Sequence, residues 1–289
     1  MKSLIKNFSS DRRGQLLASQ FLVAGISFFA LYFSVIQKLV QDWETNQNFS
    51  HGYFIPFISI AMIYSMRDRL REIEIRPSNL GLLVLAAGLL QYYIAVVGSE
   101  YFLQRSSMII VLLGMALFLG GKSLTRIVIC PLLYLFLMIP IPAVVWSNIA
   151  FPMQLFSSMI AEKAIAIIGI PILREGNILH LSETTLEVVD ACSGLRSLTS
   201  MLTLSLALAF FTNTTRVKRA VIVLAALPIA VLVNIVRLTG TAMLASKYGA
   251  GVAQGFLHDF SGWLVFVLGL ALLWSLTELL TRGEKKSTK

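Results

Sequence analysis

The sequence predicts an all-α polytopic membrane protein: about eight transmembrane helices, both termini cytoplasmic, and a small extracytoplasmic hairpin element. Three observations lead there. The 289 residues are 56% hydrophobic and only 13% charged, with a mean hydropathy of +0.77. Soluble domains carry about a quarter charged residues. Apolar runs recur at about twenty residues, the length that crosses a hydrocarbon core. The basic residues gather in alternate connections, as they do when they fix topology. The net charge of +9 is thus spread over the flanks of apolar runs. It forms no patch of the kind that would bind nucleic acid.

The apolar segments fall at roughly 16–36, 52–66, 80–98, 106–120, 127–142, 193–212, 219–237 and 260–280. The first follows Lys2, Lys6, Arg12 and Arg13 and lacks a small-residue cleavage site. It therefore reads as a retained helix and not as a signal peptide. The second is short and contains Pro56. The connections Met1–Gln15, Arg67–Asn79, Gly121–Arg126, Asn213–Lys218 and Thr281–Lys289, with Arg219, hold 17 of the 24 Lys and Arg. With eight spans they all lie on one side, and positive loops stay inside. Residues 281–289 are then a basic cytoplasmic tail. No polar stretch is long enough for a separate soluble domain, so 1–289 is expected to be one membrane-embedded domain.

The outer connections differ in character. Gln37–His51 contains Trp43 and the run Asn48-Phe49-Ser50-His51-Gly52. Residues 143–191 form an extracytoplasmic or interfacial insertion in two parts. The stretch 143–169, moderately apolar with Trp146, Glu162 and Lys163, predicts an amphipathic helix lying on the bilayer. A re-entrant pair of helices is the alternative. Pro171–Asp190 has Gly176-Asn177 between β-type residues. Ile178-Leu179-His180-Leu181 and Leu186-Glu187-Val188-Val189 flank a polar turn, which is a hairpin pattern. His180 reads as a surface residue of that hairpin. Trp43, Trp146 and Trp263 read as interface anchors.

Chemistry concentrates at Val188-Val189-Asp190-Ala191-Cys192-Ser193-Gly194-Leu195-Arg196-Ser197. Asp190 is a candidate N-cap for the sixth span. A thiol at a helix N-terminus meets unpaired N–H groups and the positive end of the dipole, which favour thiolate. Arg196 follows Cys192 by four residues and shares its helical face. Gly194 permits close approach of another backbone or a substrate. The seventh span ends Val233-Asn234-Ile235-Val236-Arg237, so Asn234 and Arg237 share a face. An arginine at the outer end of an apolar helix runs against the charge bias and calls for a partner or a task. The eighth span begins after His258-Asp259. The topology thus brings Cys192, Arg237 and His258 to one membrane face. A Cys nucleophile, a His proton shuttle and a fixed cation for an oxyanion are the parts of a thiol acyl-transfer site. Cys130 and Cys192 are too far apart for a metal motif. Cys130, in an apolar run before Pro131, reads as packing. No metal or organic cofactor is expected.

Ala191-Cys192-Ser193-Gly194-Leu195-Arg196, then Asn234-Ile235-Val236-Arg237, then His258 resemble the three motifs of the exosortase/archaeosortase family. Ser50-His51-Gly52 resembles its N-terminal signature. The resemblance runs from about residue 16 to 280, and His258 points to the bacterial branch. It implies a multi-pass cysteine protease or transpeptidase of the cell inner membrane, with its site facing the exterior. Its substrates would be exported proteins ending in a Pro-Glu-Pro motif, one transmembrane helix and a basic tail. A lipid or glycan of the envelope would accept them. The resemblance implies Cys192 as nucleophile, Arg237 as catalytic arginine and His258 as acid/base.

Arg196 is expected to bind substrate or to orient Cys192. Asn234 is expected to hold Arg237 or to bond between helices. His51 is expected to line the site, bind substrate or cap the second span. The alternatives are a non-catalytic transporter or scaffold linked to exopolysaccharide export, and an envelope acyltransferase using the same thiol.

Overall fold

The computed structural model describes residues 12–182, 185–187, 195–248 and 256–285. The chain is mostly helical and divides into two compact units, Met1–Ile141 and Pro142–Lys289.

The first unit begins with α1 (Arg12–Thr45), a 3-10 turn (Gln47–Tyr53), α2 (Phe54–Ser65) and α3 (Arg67–Glu72). It continues through α4 (Leu80–Val97), α5 (Tyr101–Met115), a π turn (Ala116–Gly120), α6 (Gly121–Tyr134) and a second 3-10 turn (Leu135–Met138). α4 and α5 pack as a close antiparallel pair, and glycines make the closeness possible. A Cβ on Gly114 would stand 2.7 Å from the Leu85 backbone nitrogen, and one on Gly88 would stand 2.8 Å from Val111 Cγ2. In lipid, where burial gives little drive between helices, such small-residue contact supplies the packing. Gly121, at φ +77°, turns the chain between the π turn and α6.

Several polar side chains inside this unit are paired with one another or with backbone, as an apolar surrounding favours. Tyr32 Oη and Ser107 Oγ lie 2.9 Å apart. Gln91 Nε2 donates to Ser106 Oγ at 2.8 Å and to Leu103 O at 3.0 Å. Ser59 Oγ donates to Pro131 O at 2.8 Å. Arg105, only 5% exposed, is paired with Asp42.

Trp43 departs from the expectation of an interface anchor. It is buried, its Nε1 donates to Met138 O at 2.9 Å, and its ring packs on Tyr53. Gly52 leaves the room, because a Cβ there would collide with the indole. Trp263, in contrast, is exposed. His51 sits beside this cluster. Its Nδ1 is buried with no hydrogen-bond partner among the described residues. Burial holds the imidazole below its ordinary pKa of 6.5, against the opposing pull of backbone groups of Leu137 and Asn48.

The second unit contains α7 (Ala143–Ile167), strands β1 (Ile172–Glu175), β2 (Ile178–Leu181) and β3 (Thr185–Glu187), then α8 (Leu195–Phe211), α9 (Arg216–Tyr248) and α10 (Phe256–Lys285). The strands form one antiparallel sheet in the order β1-β2-β3. Gly176, at φ +66°, opens the two-residue turn between β1 and β2 and supplies the conformation that turn requires. The expected hairpin is present, with β1 as a third strand. α9 is the central helix, packing on α7, α8 and α10. One cluster joins Met201 and Ala209 of α8, Ile222 and Ala226 of α9, and Leu273 of α10. A second seats Leu179 and Leu181 of β2 on Ala161 and Ile165 of α7 and on Leu238 and Ala242 of α9.

Against the eight expected segments, six helical stretches among the described residues are long and apolar enough to cross a membrane. They are Gln15–Thr45, Leu80–Val97, Tyr101–Met138, Ala143–Ile167, Arg216–Tyr248 and Ser261–Arg282. The differences have physical causes. The second expected segment is the 12-residue α2, too short for the core. The sixth is the 17-residue α8, short by a turn among its described residues. The fourth and fifth share one 38-residue stretch, with its corner at Gly121. Ala143–Ile167, read from sequence as interfacial, is a 25-residue helix of spanning length.

His51 gives a pH prediction. Its lowered pKa means that the unfolded chain binds the proton more readily than the fold does. Stability is then full at neutral pH and falls as pH drops through and below 6.5. Thermal unfolding of the detergent-solubilised protein should shift to lower temperature between about pH 7.5 and about pH 5.5, and shift less in His51→Gln. Equal shifts would remove His51 as the cause.

Candidate functional site

The described part of the site is built by three antiparallel helices. α8 and α9 meet through the short connection 212–215, with Met201 and Ala226 in one cluster. Counting outward from that connection at about 1.5 Å per residue sets Arg196 level with about Val231, within about one turn of Asn234. Arg196 lies in the first turn of α8 and is half-buried. Its carbonyl accepts from Thr199 Oγ1 at 3.1 Å, a bond inside the helix.

α10 runs back along α9 in a register that the packing fixes. Leu273 joins Ile222 and Ala226 near one end. Gly269 lies against Met201 and Val233 farther along, and a Cβ there would come within 2.9 Å of Met201 Sδ. Gly262 lies against Arg237 at the other end. A Cβ on Gly262 would stand 3.7 Å from Arg237 Cζ and Nη2 and 3.9 Å from Nη1. The guanidinium therefore faces Gly262 across a gap that a methyl group would fill at ordinary contact distance. His258 is in the first turn of α10, four residues before Gly262, and so occupies the same helical face one turn earlier.

Asn234 is 1% exposed and Arg237 is half-buried. Arg196, Asn234 and Arg237 are all engaged by neighbours. A buried amide one turn from a half-buried guanidinium is the arrangement that satisfies both in an apolar surrounding. The sheet closes this end of α9, since Leu238 and Ala242, immediately after Arg237, form its seat.

The structure thus groups Arg196, Asn234, Arg237 and the position of His258 at one end of the second unit. Cys192, with Asp190 and Gly194, lies outside the described residues; the flanking described residues are Glu187 of β3 and Leu195 of α8. His51 belongs to the first unit, in the 3-10 turn beside Trp43. Cys130, on α6 of that unit, is exposed. Among the described residues no His, Cys, Asp and Glu gather as metal ligands would.

Sequence reasoning did not find two contributors. Gly262 carries no pattern beyond following His258 by one turn. The ion pair Glu162–Arg174, at 2.8 Å, joins α7 to β1. Its sequence signal is weak, since Glu162 stands beside Lys163 and Arg174 beside Glu175.

The family model for the transmembrane exosortase (Exosortase_EpsH) matches residues 43–275. No curated protein and no solved structure matches the chain. The match begins at Trp43 and takes in the sheet, α8, α9 and the first part of α10, including Arg196, Asn234, Arg237 and His258. With most of its length inside that match, the chain belongs to the transmembrane exosortase family.

Proposed function

We propose that this protein is a thiol protease or transpeptidase of the inner membrane. It cleaves the C-terminal sorting signal of exported proteins and attaches them to, or releases them at, the cell envelope. The observation that carries the reading is the Arg237 guanidinium facing Gly262 of α10, with the position of His258 one turn earlier on that helix. A cation and a histidine position this close along two packed helices have a direct use in acyl transfer.

In this reading the Cys192 thiolate attacks the scissile carbonyl. Three residues separate it from Leu195, a length of chain that reaches no farther than about 11 Å. The tetrahedral oxyanion develops opposite Arg237, and Asn234 holds that side chain. His258 gives its proton to the leaving amine, so the C–N bond breaks and a thioester remains on Cys192. The neutral imidazole then takes a proton from the acceptor, a lipid or glycan amine or water, whose attack frees the thiol. The substrate's Pro-Glu-Pro motif lies at the outer surface, where Arg196 pairs with its carboxylate. Its helix packs within the bilayer. Both termini of the enzyme are cytoplasmic, and membrane lipids surround the bundle.

The transporter reading needs helices broken near the midplane. α9 instead runs as one helix from Arg216 to Tyr248 with Pro228 inside it.

Two outcomes follow. Co-expression with a model substrate carrying a Pro-Glu-Pro tail should give a size shift on a gel. Cys192→Ala, Arg237→Ala and His258→Ala should each abolish it while still reaching the membrane. Loss of one oxyanion donor alone costs roughly 100-fold or more. A shift that survives Cys192→Ala would remove the nucleophile and favour the scaffold or transporter. Second, Gly262→Ala adds a methyl at ordinary contact distance from Arg237 and should keep most activity. Gly262→Leu displaces the guanidinium and should reduce processing about 100-fold, with near-normal thermal stability. Equal activity of the two variants would contradict the seat.

A further inference from the structure

The sheet of the second unit is locked to α7 by a polar latch. Arg174 Nε donates to Glu162 Oε2 at 2.8 Å. Arg174 Nη1 donates to Gly176 O at 3.0 Å, and Ser158 Oγ donates to the same oxygen at 3.0 Å. Ser158 is fully buried, and both charged partners are mostly buried. The latch therefore ties the β1–β2 turn and the middle of β1 to two successive turns of one helix.

The position of the latch within the sheet matters. Arg174 pairs across the strands with Leu179, which is fully buried against α7 and α9. Cross-strand partners share a face, so the ion pair lies on the side that packs. The strands are only four, four and three residues long. Strands this short do not hold a register alone. A slip by one residue would turn Leu179 and Leu181 away from their seat. Apolar seat and latch together fix the register of β1 and β2. β3 inherits it, because Leu179 pairs with Leu186 and Ile178 with Glu187. Glu187 is five residues before Cys192. The same seat includes Leu238, the neighbour of Arg237. One small sheet thus refers the segment that enters the nucleophile to the helix that carries the cation.

We infer that Glu162, Arg174 and Ser158 are positioning residues for Cys192, acting through the register of the sheet. The inference rests on the proposed thiol chemistry for its effect on catalysis. Its effect on the thiol itself stands apart from that reading. The latch touches no substrate, so its loss lowers the rate of the chemical step and leaves substrate affinity unchanged.

The test uses the full chain in detergent with Cys130→Ser, which leaves Cys192 as the sole thiol. The rate of Cys192 alkylation by iodoacetamide is followed against pH for the parent, Glu162→Gln, Arg174→Gln and the exchange Glu162→Arg with Arg174→Glu. Substrate processing and thermal midpoints are measured on the same samples. Each single variant should change alkylation by about threefold or more and lower kcat by about tenfold with KM unchanged. The exchange restores the ion pair but not the Arg174–Gly176 bond, so it should recover part of both relative to the single variants, the mark of a coupled pair. If the charge variants lose the fold, Ser158→Ala removes the bond to Gly176 O, with a local one to Leu155 O, and should show the same direction. Unchanged alkylation in every folded variant, or an exchange no better than the single variants, overturns the inference. Processing that survives Cys192→Ala overturns the protease reading instead, and the alkylation rates still decide the latch.

Discussion

A guanidinium within an apolar helix has to be housed, and the stretch of α9 that houses Arg237 organises the second unit. The charge cannot be left bare in a medium that does not solvate it. On one side α10 brings Gly262 to the guanidinium. Asn234, one turn back, is buried. Leu238 and Ala242, which follow, support the sheet on another side of the helix. Residues 234–242 of one helix thus hold the cation, its buried neighbour and the seat of the only sheet among the described residues. The first unit meets the same constraint differently, pairing Arg105 with Asp42 and tying Tyr32 to Ser107 between distant helices.

What could be read from the sequence was what periodicity and charge encode. Apolar runs and flanking Lys and Arg gave a helical membrane protein. The Gly176-Asn177 turn between β-type residues gave the hairpin, which needs no distant information. Asn234 and Arg237 were placed on one face by spacing alone. What was missed has one origin: composition does not say what a side chain meets. Trp43 looked like an interface anchor because Trp favours that place, but Gly52 and the Met138 carbonyl give it a buried site. The stretch 143–169, read as interfacial with its Trp146, Glu162 and Lys163, forms a helix of spanning length whose Glu162 pairs with Arg174 from β1. The contact of Gly262 with Arg237 is legible only once the two helices stand side by side.

Family membership and geometry carry different parts of the functional account. Membership names the class of protein. The geometry brings Arg237, the buried Asn234 and the position of His258 together where α9 and α10 pack. It also gives the sheet a place that neither the motifs nor the hydropathy suggests: it links Glu187, five residues before Cys192, to the helix that carries Arg237. Short strands held by two buried leucines, one ion pair and one shared carbonyl make a compact reference frame. Such a frame suits chemistry in which a misplacement of about 1 Å costs about 100-fold.

The central claim is that Cys192 carries the acyl group between cleavage and transfer. Mass spectrometry of the wild-type enzyme quenched in acid during turnover of the model substrate tests it directly. The account predicts one substrate acyl group as a thioester on the peptide containing Cys192, removed by neutral hydroxylamine. Substrate cleaved without any adduct on that peptide, or an adduct on another residue, would contradict it.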